Sequence, residues 1–166
     1  MKKVTFILIS LTLAIVTACT SQRETPFSLP EDYRSWKRPI KRVLDNPVPG
    51  HGASYRIIYG NDKTFEGSKK NGLFTVPDGA ILIKENYVSR KDIKKGKYFD
   101  RTIMVKNSKA PDAVAGWLYY VKGQDKPVAP VKGRKCVGCH EAANEPHPYF
   151  KKNPRGEFRD FLFIPL

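Results

Sequence analysis

Apolar and polar positions alternate strictly over residues 54–59, with Ser54, Arg56 and Ile58 on one face and Tyr55, Ile57 and Tyr59 on the other. That is the period of a β-strand. Residues 80–88, 97–106 and 114–121 are rich in branched and aromatic side chains and predict three further strands. In the first of them Ala80, Leu82 and Lys84 share one face, while Ile81 and Ile83 share the other. Both faces are apolar, so this strand should be buried, with Lys84 at its end or within it. Helical signals are short by comparison. Ser28-Leu29-Pro30-Glu31 reads as a capping box, predicting a brief helix through Trp36 that Pro39 ends. Residues 61–66 and 140–144 read as helical turns, the former followed by a polar loop through Gly72. Pro127, Pro130 and Gly133 mark a loop, and residues 158–164 a last extended segment. The fold class expected from this pattern is mainly β (α+β), with the polypeptide turning often and few helices.

The first residues follow a different pattern. Lys2 and Lys3 precede an apolar run, Val4 to Val16, that is too short to span a bilayer, and small residues Thr17 and Ala18 follow. This is the layout of a secretory signal, residues 1–18, to be set apart from the fold. Val16-Thr17-Ala18-Cys19 also resembles a bacterial lipoprotein box, which would make Cys19 the lipid-bearing residue. Ordinary signal peptidase would accept the same small residues. Residues 19–28 then form a polar tether, and residues 29–166 one domain. The protein is therefore expected to be exported and periplasmic, touching a membrane only through a lipid on Cys19.

The formal charge of +14 is spread over pairs such as Lys69-Lys70, Lys94-Lys95 and Lys151-Lys152. A surface of this kind suits acidic partners or an anionic membrane face, or is a solvated basic exterior. No nucleic-acid-binding motif accompanies it, which sets that class of partner aside.

Chemistry enters at Cys136-Val137-Gly138-Cys139-His140, the Cys-x-x-Cys-His pattern of covalent c-type haem attachment. Two intervening residues let both thiols reach vinyl groups on one edge of the macrocycle, and His140 then reaches the iron as metal ligand. Half of a zinc site, with His147 as a further ligand, and a Cys136–Cys139 disulfide are the competing readings. Of three cysteines, Cys19 is the candidate anchor and the other two the candidate thioether ligands. A small helical electron carrier would place an axial Met downstream of the motif, and no Met follows His140. A four-helix cytochrome needs long helical periods that are missing here. For the other side of the iron, Met104 lies inside a strand pattern and reads as a core residue. His51 stands between glycines and His147 between prolines, each with a ligand or turn reading. Five-coordinate iron is expected, and open iron binds and transforms small molecules. Lys84, if held in apolar surroundings, would lose its charge more readily and become nucleophilic. Alternatively it snorkels to solvent or pairs with Glu85.

The chain resembles the cytochrome P-460 family from Leu29 to its end. The likeness rests on Tyr33-Arg34-Ser35-Trp36, Tyr55-Arg56-Ile57-Ile58-Tyr59, Asp78 to Glu85, Gly116-Trp117-Leu118-Tyr119-Tyr120 and the haem motif followed by Glu141-Ala142-Ala143-Asn144. The resemblance implies a large antiparallel sheet with short helices, a homodimer, and one covalently attached haem c. It further implies hydroxylamine oxidation at a five-coordinate haem that a lysine amine also bonds at a meso carbon, with electrons passing to a periplasmic acceptor. Lys84 matches that lysine, making it both a catalytic and a cofactor-binding candidate. Arg56 matches an arginine near the distal pocket, where it would orient substrate, or else it forms a salt bridge within the sheet. Relatives of the cytochrome c′-beta type share the fold but lack the lysine bond, and bind nitric oxide or carbon monoxide without enzymatic activity. A distal carboxylate would favour the enzyme, with Glu85, Asp100 and Asp112 as neighbours in sequence. Phe65, Phe74 and Phe99 on the distal side would favour gas binding instead.

Overall fold

The computed structural model describes residues 24–46, 48, 55–132, 134–146, 153 and 155–164. The expected signal, Cys19, most of the tether, His51 and His147 lie outside the described residues. Among the described residues no helix is long and apolar enough to cross a membrane.

Seven strands form two sheets. The larger has the order β1 (Tyr55–Gly60), β4 (Ile81–Tyr87), β5 (Asp100–Lys106), β6 (Trp117–Gly123), β7 (Ala129–Pro130), every neighbouring pair antiparallel. A separate hairpin pairs β2 (Ser68–Lys70) with β3 (Leu73–Thr75). The architecture is thus mainly β, as the alternation and the family resemblance both imply. The four predicted strands are all present, starting one to three residues later than read and ending within two residues of it. The stretch read as a polar loop through Gly72 instead carries β2: three consecutive exposed residues give no alternation to read.

Short helices link the strands, each held by a local device. Asn61 caps α1 (Asp62–Phe65) by accepting from the Thr64 N–H, and its side chain also accepts from Ile81 N at 2.9 Å, tying the helix start to β4. Ser89 caps α2 (Arg90–Lys95), and Gly96 ends it in the left-handed conformation that lacks a penalty only for glycine. α2 carries no buried residue, which explains why no apolar period announced it. The helix expected through Trp36 is a single 3-10 turn, Tyr33–Ser35, whose N-cap is Asp32 without a side-chain cap bond. The capping box at Ser28 therefore does not form. The haem motif itself is helical, α3 (Lys135–His140), continuing into a 3-10 turn, Glu141–Asn144.

Antiparallel register sorts side chains onto two faces. One bears Leu82, Met104, Trp117 and Tyr119, packed with Val76, Ala80, Val137, Leu162 and Ile164. The other bears Tyr59, Ile83, Ile103, Leu118 and Tyr120, packed with Tyr33, Ile57 and Tyr87. Met104 is a core residue, as its strand position suggested. The C-terminal stretch differs from the extended segment expected: Arg159 O accepts from Leu162 N at 3.0 Å, and both intervening residues have positive φ, Asp160 at 50° and Phe161 at 63°. A chain reversal replaces a strand there, and it turns out to bear on the haem motif.

Candidate functional site

The motif works as a site because it is helical. Spacings of three and four residues place Cys136, Cys139 and His140 on one side of α3. Val137, fully buried in the core and three residues from His140, anchors the helix against the sheet, while Gly138 meets no atom within 4 Å of where a Cβ would stand. Both thiols are free; Cys136 is half-buried and Cys139 exposed. Burial pushes the Cys136 thiol up, with Lys84 pulling it back down.

His140 is fixed from three sides. Its ring lies 6.0 Å from that of Tyr119 on β6 and 5.5 Å from that of Phe163, both edge-on. Its Nδ1 sits 2.8 Å from the Phe161 carbonyl, an arrangement in which Nδ1–H donates and Nε2 is left with its lone pair. That is the tautomer a metal-ligating imidazole needs, with its second nitrogen oriented by a backbone acceptor. Burial, against the pull of the Phe161 carbonyl and aided by Lys84, holds the imidazole down to about 4, so it is neutral at ordinary pH.

Lys84 lies on the sheet face against which this helix packs. It feels Cys136 and His140 electrostatically, along with Arg56 and Asp100, which places the four candidate site elements on one side of the molecule. Burial, aided by Arg56, lowers the amine to about 8, whereas Asp100 and Cys136 oppose the shift. The register shows where. Ile58, Lys84, Thr102 and Val121 stand in one row across β1, β4, β5 and β6. All four are half-buried, although the next row, Leu82–Met104–Tyr119, is buried. On the other side of that strip lies the row Arg56–Asn86–Asp100. Polar atoms along these rows lack partners among the described residues: Arg56 Nε, Asn86 Oδ1 and the Tyr119 hydroxyl are buried without a hydrogen bond. Buried polar atoms left unpaired demand a reason, and an additional bound group is one.

Arg56 is only 3% exposed, and its other nitrogen reaches Asn46 O at 2.5 Å and Asn46 Oδ1 at 3.1 Å. Burial lowers its pKa; Asp45 raises it. Among the described residues it forms no salt bridge within the sheet, and its partner is Asn46. Of the three carboxylates proposed from neighbourhood, only Asp100 shares the face of Lys84, where it accepts from Asn86 Nδ2 at 2.5 Å. Glu85 is on the opposite face, and Asp112 is bound by Thr25 through its N–H at 2.8 Å and hydroxyl at 2.6 Å. Phe65 and Phe99 are exposed, while Phe74 packs beside the core. The roles of Tyr119, Phe163 and the Phe161 carbonyl went unread, the last because a backbone acceptor leaves no trace in side-chain identity.

The donor set fits a c-type haem: two thiols and an imidazole on one helix side, a half-buried strip with a depressed lysine opposite, and unpaired polar atoms at its edges. Among the described residues no three His, Cys, Asp or Glu converge as a metal site; His147, the further ligand of the zinc reading, lies outside them. Comparison with known proteins agrees. The family model for Cytochrome P460 matches residues 30–164. No curated protein matches the chain significantly. The chain belongs to the cytochrome P460 family, which implies a haem cofactor.

Proposed function

We propose that this cytochrome P460 family member is an exported monohaem protein that oxidises hydroxylamine. Cys136 and Cys139 would hold the haem covalently, His140 would ligate its iron through Nε2, and Lys84 would bond the ring. Bound there, the haem supplies an iron centre with one open side that accepts electrons from the substrate. The observation that carries this reading is Lys84 itself: a lysine placed opposite the haem motif and lowered to about 8. An amine near neutrality is a nucleophile, whereas an ordinary exposed lysine stays protonated.

The other residues have tasks that follow from their chemistry. Arg56 keeps one donor without a protein partner and would point it at the substrate oxygen or a haem carboxylate. Oxidation of hydroxylamine releases protons as well as electrons, and Asp100, in the row beside Lys84, is the carboxylate placed to take them. Electrons would leave to a periplasmic acceptor. The competing chemistry, reversible binding of nitric oxide or carbon monoxide, would need neither Lys84 nor Asp100.

The test is turnover of hydroxylamine by the purified holoprotein with an artificial electron acceptor, beside the Lys84→Ala variant. Turnover in the wild type and its loss in the variant are expected. Tight gas binding with no hydroxylamine oxidation in either would replace the enzyme by the gas-binding protein.

A further inference from the structure

The proximal histidine owes its orientation to a carbonyl whose position is far from accidental. Phe161 O, 2.8 Å from His140 Nδ1, lies in the reversal closed by the Leu162 N to Arg159 O bond. Its two central residues both have positive φ. Such turns normally use Asn-Gly; Asp tolerates the left-handed region, but Phe does so poorly. Something must therefore hold the chain there.

Two clamps do. From the helix side, Asn144 Oδ1 accepts from Arg159 N at 2.8 Å and Phe161 N at 3.2 Å, straddling the turn. From the sheet side, Asp160 is driven into the core, 1% exposed. Its carboxylate accepts from Lys106 Nζ at 2.6 Å, Val76 N at 3.0 Å and Trp117 Nε1 at 3.1 Å, and the indole also reaches Asp160 O at 3.1 Å. Strands β5 and β6 and the chain just after β3 thus converge on one side chain, whose neighbour bears the acceptor for His140.

We infer that Asp160 is a positioning residue for the proximal ligand: anchored by Lys106, Trp117 and Val76, it sets the Phe161 carbonyl against His140 Nδ1–H and so governs how strongly the imidazole donates to iron. A firmly placed acceptor raises ligand basicity. It favours the oxidised metal and strengthens the iron–histidine bond. This rests on His140 being the ligand, as proposed above, but not on hydroxylamine as the substrate.

Resonance Raman spectroscopy of the ferrous holoprotein and a redox titration test it. Asp160→Ala should lower the iron–histidine stretching frequency and shift the oxidised-to-reduced equilibrium about tenfold toward the reduced form, a rise of about 59 mV for one electron. Lys69→Met, which removes only an exposed ion pair to Glu157 in the same C-terminal stretch, should leave both unchanged. Where Asp160→Ala yields too little folded holoprotein, Lys106→Met should show a smaller shift in the same direction. A folded, haem-loaded Asp160→Ala or Lys106→Met protein with wild-type frequency and potential would overturn the inference, since a purely structural anchor lowers stability alone. A wild-type protein with no iron–histidine band would instead remove the premise that His140 is the ligand.

Discussion

Lys84 and Glu85 are adjacent on β4 and face opposite ways, and the two faces treat charge differently. Glu85 is fully buried yet surrounded: Tyr33 and Tyr87 donate their hydroxyls, the latter at 2.6 Å, Arg34 donates at 2.9 Å, and Arg101 stands 3.8 Å away. Burial and this carboxylate push both tyrosines upward, so they remain donors. Arg101 is further stacked on Tyr98, its guanidinium carbon 3.7 Å from the ring centre. Arg101 Nε has no hydrogen bond among the described residues, but the carboxylate at the centre of this cluster is satisfied. The Lys84 face has no such centre: Arg56 Nε, Asn86 Oδ1 and the Tyr119 hydroxyl are likewise unpaired among the described residues, and the half-buried row of Lys84 runs between them. A carboxylate closed by several donors specifies structure, whereas polar atoms flanking an open strip suit a bound group.

The contrast can be broken experimentally. Glu85→Ala removes the hub of the closed network and strands two hydroxyls and a guanidinium, so unfolding free energy should fall by about 3–5 kcal/mol in urea titration. The haem spectrum of the folded fraction should stay as in the wild type. Asp100→Asn, on the other face, should leave the urea midpoint nearly in place while lowering hydroxylamine turnover at least about a hundredfold. Tyr87→Phe removes one hydrogen bond to a buried carboxylate and should cost about 1.5–3 kcal/mol without altering turnover. A pH dependence should also appear. Between about 8 and 10.5 the unfolded chain still holds the Lys84 proton that the folded haem-free chain has released, so stability should rise with pH across that window. Lys84→Met should flatten that part of the curve, measured as urea midpoints against pH.

Much of this was legible because it is written in periodic or covalent form. Alternation at Arg56 and Ile58 announced β1, and the burial of Ile81 to Ile83 announced β4. Cys136, Cys139 and His140 declare their chemistry by spacing alone. What could not be read depends on tertiary context. The α2 and β2 segments bury nothing and so carry no pattern. Glu85 looked like a distal carboxylate because it is next to Lys84, but period-2 geometry sends neighbours to opposite faces, and Asp100 arrives at the lysine only through cross-strand register. The reversal at Asp160 and Phe161 was invisible because Phe is a poor marker of a left-handed turn, and contacts distant in sequence impose it.

Whether the Lys84 face holds the haem is decided most directly by proteolytic peptide mapping of the holoprotein with tandem mass spectrometry. A three-way species is predicted, in which haem links the peptide containing Cys136 and Cys139 to the peptide containing Lys84. Haem recovered solely on the cysteine peptide, with the Lys84 peptide unmodified, would contradict the bond assigned to the lysine and leave a cytochrome of the gas-binding kind.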